Sequence, residues 1–481
     1  MPPPTPDPRS PAAIARLAAA GGRPPLPRRP GPGGPGRKVP WGWLEWTCVA
    51  MTFFPALLFI PGLGPVRTVT RVGLFSTSLL AWLFLGMRGG RSFGILPSAA
   101  WLTAALGYMG LMLFHPDTNT LFAGVGQIGL CGSVMGPAFW GTEALTSPRQ
   151  VRRLITILLF CNAASALVGL GQVFRPDTFT PPSMNVSSLS EDVANSLKIE
   201  VNGRRIFRPS GLSDSPGAAC WGGLLTNLTA LGWALRPIAT WKRVGCIGLA
   251  FLGMGVMYFS QARVSVIMLA VCLVAMGTLF VLQRNVRRAT ILAGGSVALF
   301  LGAFAWAQAT GGSSVTERFY ALFQSNAVEV YQSNRGSFLT GALTGYLPEA
   351  PLGMGLGRWG MIFFYLGDKA REASLGSVWV EIQIAGWVVD GGAPLLFLWA
   401  VALGLAMWVS VRVALRSRDP ELAYWAAVIT ALNLSVLAAC FSFPVFVHPL
   451  GMQFWLLTAA LYKADRLAAA VPRRRPGPAL R

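Results

Sequence analysis

The sequence predicts an all-α polytopic membrane protein of about 12 transmembrane helices, with a large outer-face loop that contains short interfacial helices. Three observations lead there. Of 481 residues, 53% are apolar and only 12% charged, too few charges for a soluble protein of this length. The mean hydropathy of +0.51 is spread over repeated apolar runs of roughly 17 to 22 residues, enough to cross about 30 Å of hydrocarbon as helix. The basic residues punctuate those runs instead of lining one polar surface. A net charge of +21, from 40 Lys plus Arg against 19 Asp plus Glu, therefore argues against nucleic acid as a partner.

Residues 1–40 are Pro, Gly, Ala and Arg with almost no large apolar side chain, which predicts a disordered basic cytoplasmic tail. The run Trp43 to Ile60 is span-length and lacks a clear small-residue cleavage site, so it reads as an uncleaved first span. Apolar runs and their Gly, Pro or Arg stops place the spans near 43–60, 72–87, 95–114, 121–140, 154–174, 217–235, 244–260, 264–282, 290–309, 393–415, 421–441 and 445–462. The membrane domain thus covers 41–465, and a basic cytoplasmic tail, 466–481, follows it. With both termini in the cytoplasm, 27 basic residues lie inside and 13 outside, as the positive-inside rule requires.

Two long loops then fall outside, about 175–216 and 310–392, and function is expected there. Within the second, Arg318 to Tyr331 has the pattern of an interfacial helix, and the half-apolar stretch Val378 to Val389 reads as re-entrant. The seven cysteines all fall in or at the ends of apolar segments and read as small core hydrophobes. Glu45, near the cytoplasmic end of the first span, reads as snorkelling to the interface.

Four outer arginines have unusual settings: Arg208 in Arg-Pro-Ser-Gly, Arg263 in the tight Ser-Gln-Ala-Arg turn, Arg335 in Asn-Arg-Gly, and Arg358 after a glycine run. Guanidinium forks gathered at a membrane face suit a phosphate or pyrophosphate; the competing role is headgroup anchoring. Gly355 to Gly360 spells GxGxxG, but no strand precedes it, so it is not a dinucleotide site. It is either a turn whose N–H groups approach an anion or a simple loop. Glu381 and Asp390 sit in apolar surroundings, where a carboxylate is costly unless paired or used. Each is a candidate general base or a bridge to an outer arginine. His448, between Pro444 and Pro449, reads as a packing residue at a kink. No His, Cys and acid cluster has metal-ligand spacing, so neither metal nor other cofactor is expected.

In order, the chain presents Arg208-Pro209-Ser210-Gly211 closing an outer loop, Ser260-Gln261-Ala262-Arg263 in a span hairpin, and Pro351-Leu352-Gly353-Met354-Gly355-Leu356-Gly357 in a large outer loop before the last spans. This order resembles the O-antigen ligase and Wzy-type polysaccharide polymerase family of bacterial envelopes, over roughly residues 200–460. The resemblance implies a multi-pass protein of the bacterial inner membrane and a metal-independent inverting glycosyltransferase. Its donor would be a polyprenyl-pyrophosphate-linked glycan, polymerised on the outer face into an envelope or exopolysaccharide. Membrane lipids, chain-length regulators and export proteins are the partners it implies. The family's pyrophosphate-binding arginines correspond to Arg208 and Arg263, and more loosely to Arg335.

One departure stands out. Ligase-type members carry His-Asn shortly before an acid and a glycine near the end of the large loop. Counting back from Asp390-Gly391-Gly392 reaches Glu381-Ile382, and the loop has no histidine. Either Glu381 takes the base role or the chain is not a ligase, so a chain-extending polymerase is expected, with a ligase as the alternative. A transporter or flippase and a non-catalytic assembly partner are the readings from other classes. Against the first stands the absence of an internal repeat visible by eye.

Overall fold

Long apolar segments with few helix breakers leave the backbone one way to satisfy its N–H and C=O groups in hydrocarbon, and the chain is accordingly helical. The computed structural model describes residues 40–60, 62, 67–87, 96–180, 197–201, 203–213, 215–324, 329 and 331–470. Most of both expected tails, residues 88–95 between the second and third expected spans, and parts of both long loops lie outside the described residues.

The elements are α1 (Trp43–Ala56), α2 (Arg67–Met87), α3 (Ala99–Met112), α4 (Leu121–Ala144), α5 (Arg149–Phe174), a short α6 (Pro176–Phe179), β1 (Lys198–Val201) and β2 (Arg204–Phe207). Then follow α7 (Ala219–Ala234), α8 (Thr240–Phe259), α9 (Arg263–Leu282), α10 (Val286–Gly311) and α11 (Ser313–Gln324). Short helical pieces cover Gln332–Gly336, Ser337–Thr340, Gly341–Tyr346 and Leu347–Glu349. After them come α12 (Gly360–Leu366), α13 (Lys369–Leu375), α14 (Gln383–Arg416), α15 (Pro420–Ala439) and α16 (Pro449–Ala469).

Each of the twelve expected segments coincides with a helix: α1 to α5, α7 to α10, and α14 to α16. Among the described residues seven are long and apolar enough to cross a membrane, namely α4, α5, α8, α9, α10, α14 and α15.

The loops sort to two ends. At one, Arg152 and Arg236 both pair with Glu421, at 3.1 and 2.7 Å, and the Gln283 amide donates to the carbonyls of Ala414 and Ala423, both at 2.9 Å. At the other, the Asn119 amide donates to the Asp368 carbonyl at 3.0 Å, and the Tyr331 hydroxyl donates to the Phe441 carbonyl at 3.2 Å. These are the two groups of loops that the charge pattern assigns to opposite faces.

Neutral polar contacts and aromatic packing tie the last helices together. The Asn433 amide donates to the hydroxyls of Ser410 and Thr458, at 3.3 and 2.9 Å, joining α14, α15 and α16. Trp387 stacks on Trp399 at 4.9 Å, and Phe446 lies against Trp399 at 5.0 Å. This anchors the start of α14 to the α15–α16 connection.

Two expectations change. Glu45 does not snorkel: it is 0% exposed, pairs with Arg153 at 3.2 Å, and accepts from Gln150 at 3.2 Å and from the Gly42 N–H at 3.0 Å. A buried carboxylate without those partners would carry a large desolvation cost. The first long loop also contains an antiparallel hairpin, β1 with β2, that the all-α expectation lacks. Ile199, Val201 and Ile206 point inward and Glu200 faces Arg205 across the strands, which gives the alternation and opposite-charge pairing of a half-buried hairpin. All seven cysteines are free and six are buried, as core hydrophobes should be.

Candidate functional site

The hairpin leads directly into Arg208. Its N–H donates to the Leu197 carbonyl at 3.1 Å and its carbonyl accepts from the Gly217 N–H at 3.2 Å, so both sides of the loop hold its backbone. The Arg-Pro-Ser-Gly string is then locked by Gln172 of α5, whose Oε1 accepts from the N–H groups of Ser210 and Gly211 at 2.7 and 2.9 Å. Gly211 has φ +61°, and a Cβ there would meet the Ser165 hydroxyl at 2.4 Å, so only glycine fits this approach to α5.

Arg263 begins α9, directly after the sharp turn from α8. Gln261 in that turn has φ +52°, a costly conformation for a residue with a side chain. Its amide donates to the Glu200 carbonyl at 2.7 Å, and the Ser314 hydroxyl at the start of α11 donates to the same oxygen at 2.9 Å. One carbonyl in β1 therefore gathers the hairpin, the α8–α9 turn and α11.

That gathering brings a fourth guanidinium to the site. Arg318 of α11 sits in the field of both Arg208 and Arg263, while Arg335 sits in the field of Arg208. Burial lowers the pKa of all three of Arg208, Arg318 and Arg335 below the usual arginine value. At Arg208 the neighbouring Cys220 opposes that shift and Arg263 adds to it; at Arg318 and Arg335 the nearby arginines add to it. The Nε atoms of Arg208 and Arg318 are buried without a hydrogen-bond partner among the described residues. Half-buried like charges with unused donors have the chemistry to receive an anion. Beside them lies a cavity of about 600 Å³, walled by Lys198, Arg205, Arg263 and Arg318 together with Glu200 and Glu317.

Glu381 lies at the edge of this cluster. One carboxylate oxygen accepts from the Trp379 indole at 2.8 Å and the other pairs with Arg335, leaving the side chain 30% exposed. Of the two candidate roles, the bridge to an outer arginine is therefore realised in the structure.

Two candidate residues are elsewhere. Arg358 is 1% exposed: Nε and Nη2 grip Glu372 at 3.1 to 3.2 Å, Nη1 donates to the Met354 carbonyl at 3.1 Å, and Nη2 also donates to the Gly376 carbonyl at 2.6 Å. All three of its guanidinium nitrogens are thus engaged by the chain itself. Asp390 is also 1% exposed and accepts from the Trp359 indole at 2.8 Å and the Gln127 amide at 3.0 Å. Enclosed in this way, its carboxylate is engaged by the fold itself.

Both residues secure the glycine turn. Helix α14 is broken at Gly391 and Gly392, where the loop enters: the Met354 N–H donates to the Val389 carbonyl at 2.7 Å, and the Ala393 N–H donates to the Pro351 carbonyl at 2.8 Å. A Cβ on Gly392 would lie 2.1 Å from the Pro351 oxygen. The re-entrant expectation for Val378 to Val389 becomes a short helical arm that starts at Gln383 and joins the long helix at this break.

The chain matches no protein-family model, and no curated protein is detectably similar to it. The arrangement of side chains thus bears the functional reading. In the sequence Arg318 belongs to the expected interfacial helix, where Val315 and Phe319, one helical turn apart, are the buried positions. Phe319 packs on Tyr258 at 4.9 Å, docking this helix face on α8. The hairpin did have a local signal: Asn202-Gly203 between alternating apolar residues is a tight-turn pair, and Gly203 has φ +73°.

Proposed function

We propose that this chain is a metal-independent inverting glycosyltransferase of the bacterial inner membrane that polymerises polyprenyl-pyrophosphate-linked oligosaccharide units on the outer face. The observation that supports it most is the meeting of Arg208, Arg263, Arg318 and Arg335 from four separate segments, two of them with buried, unused Nε donors. A pyrophosphate offers the charge and the oxygens that these forks lack.

In the proposed reaction the acceptor hydroxyl oxygen attacks the anomeric carbon of the donor from the face opposite the leaving oxygen. The anomeric C–O bond breaks, and its electron pair departs with polyprenyl pyrophosphate. The arginines neutralise the charge that grows on that leaving group, usually the larger part of such catalysis. Arrival of the pyrophosphate draws Arg335 from Glu381 onto phosphate oxygen. The freed carboxylate then accepts the hydroxyl proton.

A transporter would be expected to turn the backbone groups of a broken helix toward its cargo. At Gly391 and Gly392 the protein's own loop takes up those groups, which favours the enzyme. The deciding experiment is deletion of the gene followed by analysis of lipid-linked glycans. Accumulation of single lipid-linked repeat units on the outer face supports the polymerase. Complete but unattached polymer would instead make it a ligase, and units trapped on the cytoplasmic leaflet would make it a flippase.

A further inference from the structure

A second cavity, of about 90 Å³, lies between α1, α5, α7 and the start of α16. It adjoins the arginine site, because Ser210 and Ser213 of the turn after Arg208 form one wall. Its chemistry is different. Among the described residues that line it there is no Asp, Glu, Lys or Arg; Asn162, Ser165, Ser213, Trp221, His448 and Gln453 supply amides, hydroxyls, an indole and an imidazole.

Several of these are fixed by the fold. The Asn162 amide donates to the Leu158 carbonyl at 2.8 Å and the Ser165 hydroxyl accepts from the Leu212 N–H at 3.1 Å. The imidazole of His448 caps α16 by accepting from the Leu450 N–H at 3.4 Å, and Phe443 packs against both His448 and Trp221, at 5.8 and 4.9 Å. Gln453 lines the cavity from one turn into α16 and is 5% exposed. An amide that faces a cavity between membrane helices is stabilised when its donors and acceptor are used.

We infer that this cavity is a subsite for an uncharged, hydroxyl-bearing group, with Gln453 and Asn162 holding the edge of the sugar joined to the donor pyrophosphate. Naming that sugar rests on the pyrophosphate reading of the arginines. The volume fits the scale: a water-sized group needs roughly 10 to 15 Å³ in this measure, so the cavity takes a few hydroxyls and not a whole oligosaccharide. An amide is suited to a hydroxyl because it both gives and accepts a hydrogen bond.

The test uses the full-length protein in lipid nanodiscs, titrated with polyprenyl pyrophosphate alone and with the same carrier bearing one hexose. The wild type should bind the hexose-bearing lipid on the order of tenfold more tightly, the scale of one or two hydrogen bonds. Gln453→Leu should lose that increment and keep its affinity for the bare carrier. Gln453→Met gives the same comparison should the Leu variant fail to accumulate. Equal affinity of the wild type for both lipids, or an increment that survives in the variants, would overturn the subsite while leaving the arginine reading intact. A wild type that binds neither lipid overturns both.

Discussion

The side-chain amide of Gln261 donates to the main-chain oxygen of Glu200 at 2.7 Å, and this bond ties the turn that presents Arg263 to the hairpin that presents Arg208. Segments joined by residues 61 apart in sequence are thereby held together, and a strained backbone at Gln261 is held in place. Gln261→Ala should accumulate normally and bind polyprenyl pyrophosphate several-fold more weakly, by the loss of about 1 kcal/mol of positioning. Unchanged affinity by titration would disconnect the hairpin from the site.

The arginines divide into two groups with different expected failures. Arg208→Lys and Arg318→Lys keep the charge and lose the planar fork, so each should lower polymer formation by at least about tenfold with little change in protein level. Full activity in both would leave only headgroup anchoring.

Arg358 and Asp390 should fail in the other way. Arg358→Ala leaves the buried Glu372 carboxylate uncompensated, a cost of about 3 to 5 kcal/mol, so accumulation should collapse. Asp390→Asn sets an amide donor among the Trp359 and Gln127 donors and should lower the thermal midpoint, while the folded fraction keeps its turnover. Loss of turnover at full stability in Asp390→Asn would return that residue to the reaction.

The helices and their alternation were legible in the sequence because apolar runs and arginine stops are local signals that a bilayer enforces. Arg208, Arg263 and Arg335 were legible as unusual arginines. The approach of Arg208 to Arg263 was not, because the hairpin and the α8–α9 turn are joined through a main-chain carbonyl of Glu200 that no side-chain pattern records. Arg358 and Asp390 misled for a related reason. A charged residue in an apolar segment looks the same in sequence whether it meets substrate or a partner such as Glu372 or Gln127.

Glu381 is separated from a purely bridging role by rate and affinity measured together. As the proton acceptor, Glu381→Gln should lower turnover by about a hundred- to ten-thousand-fold while donor affinity changes little. As a bridge alone, it should cost on the order of 1 kcal/mol or less and hardly touch the rate. Normal polymer from Glu381→Gln would end its role as the base.

We propose that these four arginines serve a glycosyl transfer from a polyprenyl pyrophosphate. It is tested most directly by supplying the purified protein, in nanodiscs with a chelator present, with lipid-linked oligosaccharide and following both glycan length and lipid release. The wild type should give longer glycans with one polyprenyl pyrophosphate freed for each unit added, and the Arg208→Lys variant neither product. A wild-type protein that binds the lipid-linked donor yet releases no polyprenyl pyrophosphate, or one whose products are unaffected by Arg208→Lys, would contradict it.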